Sequence, residues 1–207
     1  EELLKETDGM DIILDLHTHS GTEQFCLITK KNLLALKEVP DTLKLLYTIV
    51  LAEDYTSNFS LIENVSKSMS IETGQHNSEE AINFAIQCVN DSINYLNEPN
   101  NSQRKEEEKE APKLKSKILI AKEFIFNNST DTIQTTVINF KEIGKDTEIY
   151  PGFSINYGCI PVLVSKTTFP GKKIFLACVK NDCKINDDRA NCKINDSEVN
   201  ENACTTK

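Results

Sequence analysis

Apolar residues recur at three- and four-residue spacing through much of the first half of the chain. Leu43, Leu46, Tyr47, Val50 and Leu51 fall on one such stripe, with Pro40 and Asp41 placed to open a helix. Ile82, Ala85, Ile86, Val89, Ile93 and Leu96 form a second stripe, with Cys88 and Tyr95 beside it and Pro99 at its end. Asn77 followed by Glu80 gives it a capping-box start. Shorter helices are predicted over 32–38 and 59–68. These stripes are expected to pack into a core.

The periodicity then changes. Residues 100–112 carry alternating charges and a single apolar side chain, a composition that buries too little surface to offset its ordering entropy. Beyond it the period is two. Strands are predicted over 118–126, 133–140, 153–159, 160–164 and 174–179, separated by turn residues such as Gly144-Lys145-Asp146, Pro151-Gly152 and Pro170-Gly171. Helices first and strands second predict an α+β fold. In this expectation an N-terminal helical half (1–98) leads through a charged linker or loop (99–117) to an antiparallel β region (118–180). A polar, acidic tail (181–207) follows, in which Cys183-Lys-Ile-Asn-Asp recurs as Cys192-Lys-Ile-Asn-Asp. Disulfides are expected to staple that tail.

Composition places the chain more sharply than pattern does. With 32 acidic and 23 basic residues the net charge is −9, and no basic patch survives to hold nucleic acid. No stretch approaches the roughly 20 apolar residues that span a bilayer. Seven Asn-X-Ser/Thr triplets begin at Asn58, Asn64, Asn90, Asn100, Asn127, Asn128 and Asn195, and none has proline in the middle. Seven cysteines accompany them: Cys26, Cys88, Cys159, Cys178, Cys183, Cys192 and Cys204. Without any Cys-x2-Cys spacing for zinc, they are expected to form disulfides, with Cys26–Cys88 in the first half and two bridges among the last five. One thiol is left over, for a disulfide-linked homodimer or a buried site. Together these features predict a secreted, extracellular glycoprotein; a start at Glu1 without Met or an apolar leader is what removal of a signal peptide leaves, and equally what an internal piece of a longer chain shows.

The residues 12–20, Ile-Ile-Leu-Asp-Leu-His-Thr-His-Ser, read as an apolar strand ending in His-x-His. They resemble the first metal-binding motif of PHP-type phosphoesterases and related amidohydrolases. That resemblance implies that His17 and His19 point to one side and ligate a divalent metal. The further histidines and alternating βα units of that pattern are missing, and His76 alone remains. Residues 126–137, rich in Thr, are similar to the strand region of aerolysin-type toxins, which implies an amphipathic hairpin. Ordinary half-exposed sheet accounts for the same alternation.

No Gly-x-Ser-x-Gly elbow, phosphate loop or dinucleotide fingerprint is present, so neither catalysis nor a cofactor is expected. The function predicted is binding of another extracellular protein through residues 152–179, which the sequons leave bare. The alternatives are a carrier whose Leu46, Val50, Ile86 and Val89 line an apolar cavity, and a covalently dimeric structural or coat protein.

Overall fold

The computed structural model describes residues 7, 9–36, 38–51, 61–98 and 116–180. The expected linker over 100–112 and the tail over 181–207 lie outside them. Eleven strands are formed among these residues: β1 Ile13–His19, β2 Phe25–Thr29, β3 Tyr47–Leu51, β4 Ser68–Gln75, β5 Lys117–Phe126, β6 Ile133–Gln134, β7 Thr147–Tyr150, β8 Phe153–Ile155, β9 Ile160–Val162, β10 Thr167–Thr168 and β11 Lys173–Lys180. Four helices accompany them: α1 Lys30–Ala35, α2 Val39–Thr42, α3 Leu61–Asn64 and α4 Glu79–Asn97.

Seven strands make one mixed sheet in the order β1-β4-β2-β3-β5-β11-β9. β1 and β4 are parallel; β2, β3 and β5 run the other way, parallel to one another; β11 and β9 then alternate. The expected division into a helical half and a separate antiparallel sheet therefore does not hold. Four of the seven strands come from residues before 76, and β3 pairs directly with β5.

The clearest reversal is β3. The helical spacing predicts Tyr47-Thr-Ile-Val-Leu as part of a helix, but it forms a strand whose Thr48 to Leu51 are buried on both faces, flanked by β2 and β5. A strand covered on both sides shows a continuous apolar run and no alternation. The strands expected near 118–126 and 174–179 are present as β5 and β11. The region around 133–140 shortens to the two residues of β6.

One face of the sheet packs Cys26, Ile28, Val50, Met69 and Ile71 against Leu33, Leu36, Val39, Leu43 and Cys88 from the helical side. The opposite face gathers Phe25, Ile49, Leu51, Leu119, Val162 and Leu176. A third cluster, Ile125, Ile149, Tyr150, Ile155, Val164, Ile174 and Phe175, joins β5 and β11 to the β7–β8 hairpin.

The helix α4 starts one residue later than the expected capping box. Ser78 is its N-cap, and its hydroxyl accepts from Ala81 N at 3.1 Å. Asn77 instead takes a left-handed turn conformation at φ 61. Replacing Ser78 by Ala leaves an orphan N–H at the helix start, and should lower unfolding free energy by about 1 kcal/mol. Thermal melts followed by far-ultraviolet circular dichroism check this.

Candidate functional site

The parallel pair β1 and β4 ends where the chain turns through residues 20–24 into β2. The register aligns His17 with Glu72, and Phe25 pairs with Glu72 from the other side. Glu72 thus sits in the middle strand of three, at the carboxyl ends of β1 and β4, the position where open sheets most often hold ligands. It is buried, and its Oε2 has no hydrogen-bond partner. Burial pushes its carboxyl above the ordinary range, opposed by the neighbouring His19, His17 and His76 and reinforced by Asp15.

The histidines are held differently from one another. His17 Nε2 lies 2.9 Å from Asp15 Oδ1, so a proton on that nitrogen is fixed by the carboxylate. His19 is buried; its Nδ1 accepts from Gly21 N at 3.1 Å, which leaves Nε2 to donate to Glu23 O at 2.8 Å. With both nitrogens occupied, His19 cannot join His17 on a metal. A bulge between the two residues also breaks the alternation the motif assumed. His76 reaches back to β1, with Nδ1 2.7 Å from Thr18 Oγ1 and its backbone N–H donating to His19 O. Among the described residues no three His, Cys, Asp or Glu groups stand together as a metal site.

The β region closes over this end of the sheet. Asn139 donates from Nδ2 to Glu23 Oε2 at 3.4 Å and accepts from Val164 N at 2.9 Å, while Ser20 Oγ donates to Val164 O at 3.0 Å. A row of rings continues from the site: His19 meets Phe25 edge-on at 5.3 Å, Phe25 meets Phe140 at 5.2 Å, and Phe140 stacks on Tyr47 at 4.2 Å. Gly21 lies at the centre of these contacts. A Cβ there would stand 2.5 Å from both Asn139 Nδ2 and Glu23 Oε2. Gly21→Ala should therefore part Asn139 from Glu23 and cost about 1–3 kcal/mol. Denaturant unfolding measures it, and an unchanged midpoint would show that the loop yields freely.

Glu72, Asp15, Glu23, Gly21 and Asn139 were not read as site residues from the sequence. A signal for Glu72 exists: Ser68-Met-Ser-Ile-Glu alternates with period two into Gly74 and the α4 cap. That pattern is a strand–turn–helix whose polar face ends in a carboxylate.

Other expected sites fare as follows. Cys26, Cys88, Cys159 and Cys178 are free, buried thiols; burial pushes Cys26 up to about 12 and Cys88 and Cys159 to about 11. The expected Cys26–Cys88 bridge is absent, and Cys183, Cys192 and Cys204 lie outside the described residues. Asn127 is fully buried, donating to Asp131 O and Thr168 O at 2.9 Å each, so a glycan on it would displace both bonds. Asn64, Asn90 and Asn128 are exposed; Asn58, Asn100 and Asn195 lie outside the described residues. Ile174 to Cys178 are wholly buried, so 152–179 is not one exposed binding face. Leu46, Ile86 and Val89 are exposed while Val50 is buried, so they enclose no common cavity. Among the described residues no helix is long and apolar enough to cross a membrane.

Neither a protein-family model nor a curated protein matches the sequence. Solved structures do. The succinylglutamate desuccinylase of Vibrio cholerae superposes at TM-score 0.60 and 16% identity, over 86% of this chain and 57% of that one. The succinylglutamate desuccinylase/aspartoacylase of Rhodobacter sphaeroides gives 0.58 and 9%, over 84% and 59%. Murine aminoacylase 3 gives 0.57 and 14%, over 87% and 67%. At these identities the likeness establishes the α/β fold, and this chain spans little more than half the length of the two bacterial proteins. It also corrects the expected role. The chains that share the fold are named desuccinylases, aspartoacylase and aminoacylase, which counts against a non-catalytic binding protein, and among the described residues the cysteines expected to bridge, Cys26, Cys88, Cys159 and Cys178, are free thiols.

Proposed function

We propose that the Glu72 cluster belongs to a hydrolytic site that removes an acyl group from the amino group of an amino acid. The observation that carries this is Glu72 itself: a buried carboxylate with one oxygen unpartnered, held beside His17 at the carboxyl ends of two parallel strands. A buried polar atom left without a partner costs stability, and such costs concentrate where chemistry is done. The names of the fold neighbours, desuccinylase and acylase, supply the reaction class.

In that reaction ionised Glu72 takes a proton from water as the water oxygen bonds to the acyl carbon and the carbonyl pair moves onto oxygen. When the carbonyl re-forms, the C–N bond breaks and the proton on Glu72 passes to the leaving nitrogen. A carboxylic acid and an amine result, and Glu72 is again ionised. His17 stands beside Glu72 with Asp15 fixing its ring through Nε2, and in the doubly protonated form its Nδ1–H is the donor that can polarise the carbonyl. An imidazole backed by a carboxylate is also the usual form of a metal-binding histidine. The described residues offer no second and third ligand beside it, so no step here runs through a metal.

The test is release of free amine from a panel of N-succinyl and N-acetyl amino acids by the natural protein. Hydrolysis that vanishes in Glu72→Gln supports the reading; hydrolysis that persists in that variant, or its absence from the natural protein, overturns it. Because the sequons at Asn64, Asn90 and Asn128 are exposed, intact mass of the same preparation reads its compartment directly, through the presence or absence of glycan increments.

A further inference from the structure

The helix α4 buries its less apolar side. Ala81, Phe84, Cys88, Ser92 and Tyr95 face the sheet, whereas the stripe that the sequence marks as core faces solvent. Ile82, Ile86 and Ile93 are 59, 55 and 49% exposed, with Val89 and Leu96 beside them. A row of five apolar residues on one helix face ordinarily seeks cover.

The same corner of the molecule carries an open sheet edge. β1 is the outermost strand, with β4 on one side and nothing paired to the other among the described residues. α4 packs across β4 and β1, so the bare stripe and the free edge adjoin. Leu16 of β1, 38% exposed, alternates with Asp15 and His17 and so points to the α4 side of the sheet. β1 holds neither Lys nor Pro, residues that commonly block pairing at sheet edges.

We infer that this corner is a docking seam, and that its occupant is a polypeptide supplying the part of the neighbours' fold outside these 207 residues. It would pair a strand with β1 and lay an apolar face on Ile82, Ile86, Val89 and Ile93. Length argues for this occupant: the chain covers 57% of the Vibrio cholerae protein and 67% of murine aminoacylase 3. Charge argues against a second copy. The segment 79–98 carries Glu79, Glu80, Asp91 and Glu98 and no Lys or Arg, so two copies packed on this stripe would set acid beside acid. The face that fits is apolar and bordered by Lys or Arg. The inference uses the fold alone and does not depend on what Glu72 does.

The experiment compares the natural protein, purified from its own cells, with the 207-residue chain by hydrogen exchange and intact mass. Peptides covering 13–19 and 82–96 should exchange about tenfold more slowly in the natural protein. Its mass should show polypeptide beyond these 207 residues, continuous or co-purifying, with the neighbours' fold. Ile86→Lys combined with Val89→Lys should leave the melting temperature of the 207-residue chain unchanged and abolish the extra protection in the natural protein. Equal exchange in both preparations overturns the inference. So does a natural protein of 207 residues alone, a homodimer buried on 82–96, or an unrelated protein on the seam.

Discussion

Glu72→Gln is expected to lower kcat/KM for amide hydrolysis roughly a hundred- to ten-thousand-fold, the range lost when a general base is removed. Gln keeps the shape and one acceptor but cannot take a proton from water. The same substitution should raise stability at neutral pH, and the sign follows from linkage. Burial holds the Glu72 pKa above its unfolded value. The native state therefore binds this proton more tightly, and the associated stability is present below the ordinary carboxylate pKa and lost as pH rises through the raised one. Gln carries no such dependence. The gap between variant and wild type should open in the variant's favour from acid to neutral pH, read by denaturant unfolding at several pH values. Activity should follow the opposite course, with kcat/KM climbing through the raised pKa as the base ionises. A residue that merely filled space would show the stability effect without the activity loss. A variant that lost activity by unfolding would show the reverse stability change.

How much of this was legible in the sequence depends on what surrounds each segment. β5 and β11 were legible because charged and turn residues bound them, and β5 has one partly exposed side. β3 was not, since five residues between two strands carry no period, and Leu43 and Leu46 upstream complete a false helical spacing with Tyr47, Val50 and Leu51. The limits of α4 were nearly right and its inner face wrong. A stripe shows which side seeks apolar company, and α4 turns a side bearing Ser92 and Cys88 to the sheet. The site was half visible. His17 and His19 drew notice as a motif, yet the motif assumed an unbroken strand, and the bulge after His17 sends His19 into the loop's own hydrogen bonds. Glu72 escaped notice because a carboxylate in a strand reads as an exposed residue until its neighbours on both sides are known.

Asn32→Ala should cost about 3–5 kcal/mol of unfolding free energy, among the larger single-residue losses to expect here. Asn32 is a buried residue of α1 whose Nδ2 lies 3.0 Å from Ile62 O, Val65 O and Ser68 Oγ, and whose Oδ1 accepts from Lys67 N at 3.0 Å. Truncation strands these groups without water to replace the lost amide. Lys67 makes the matter worse, because it holds a left-handed conformation at φ 55, unusual for a residue with a Cβ. Its carbonyl accepts from Ile13 N, the first residue of β1, and β4 begins at the next residue. Asn32 therefore anchors the turn from which the β1–β4 ladder starts, and Glu72 stands four residues along that ladder, on the same face as Ser68. Asn32→Asp separates the hydrogen bonds from the volume. Its second oxygen would face the carbonyls of Ile62 and Val65, which disfavours the charged form and raises the folded pKa. Stability of that variant should be greatest below the ordinary carboxylate pKa and fall as pH rises through the raised value. A pH-independent loss equal to that of Asn32→Ala would mean that volume, not hydrogen bonding, holds the turn.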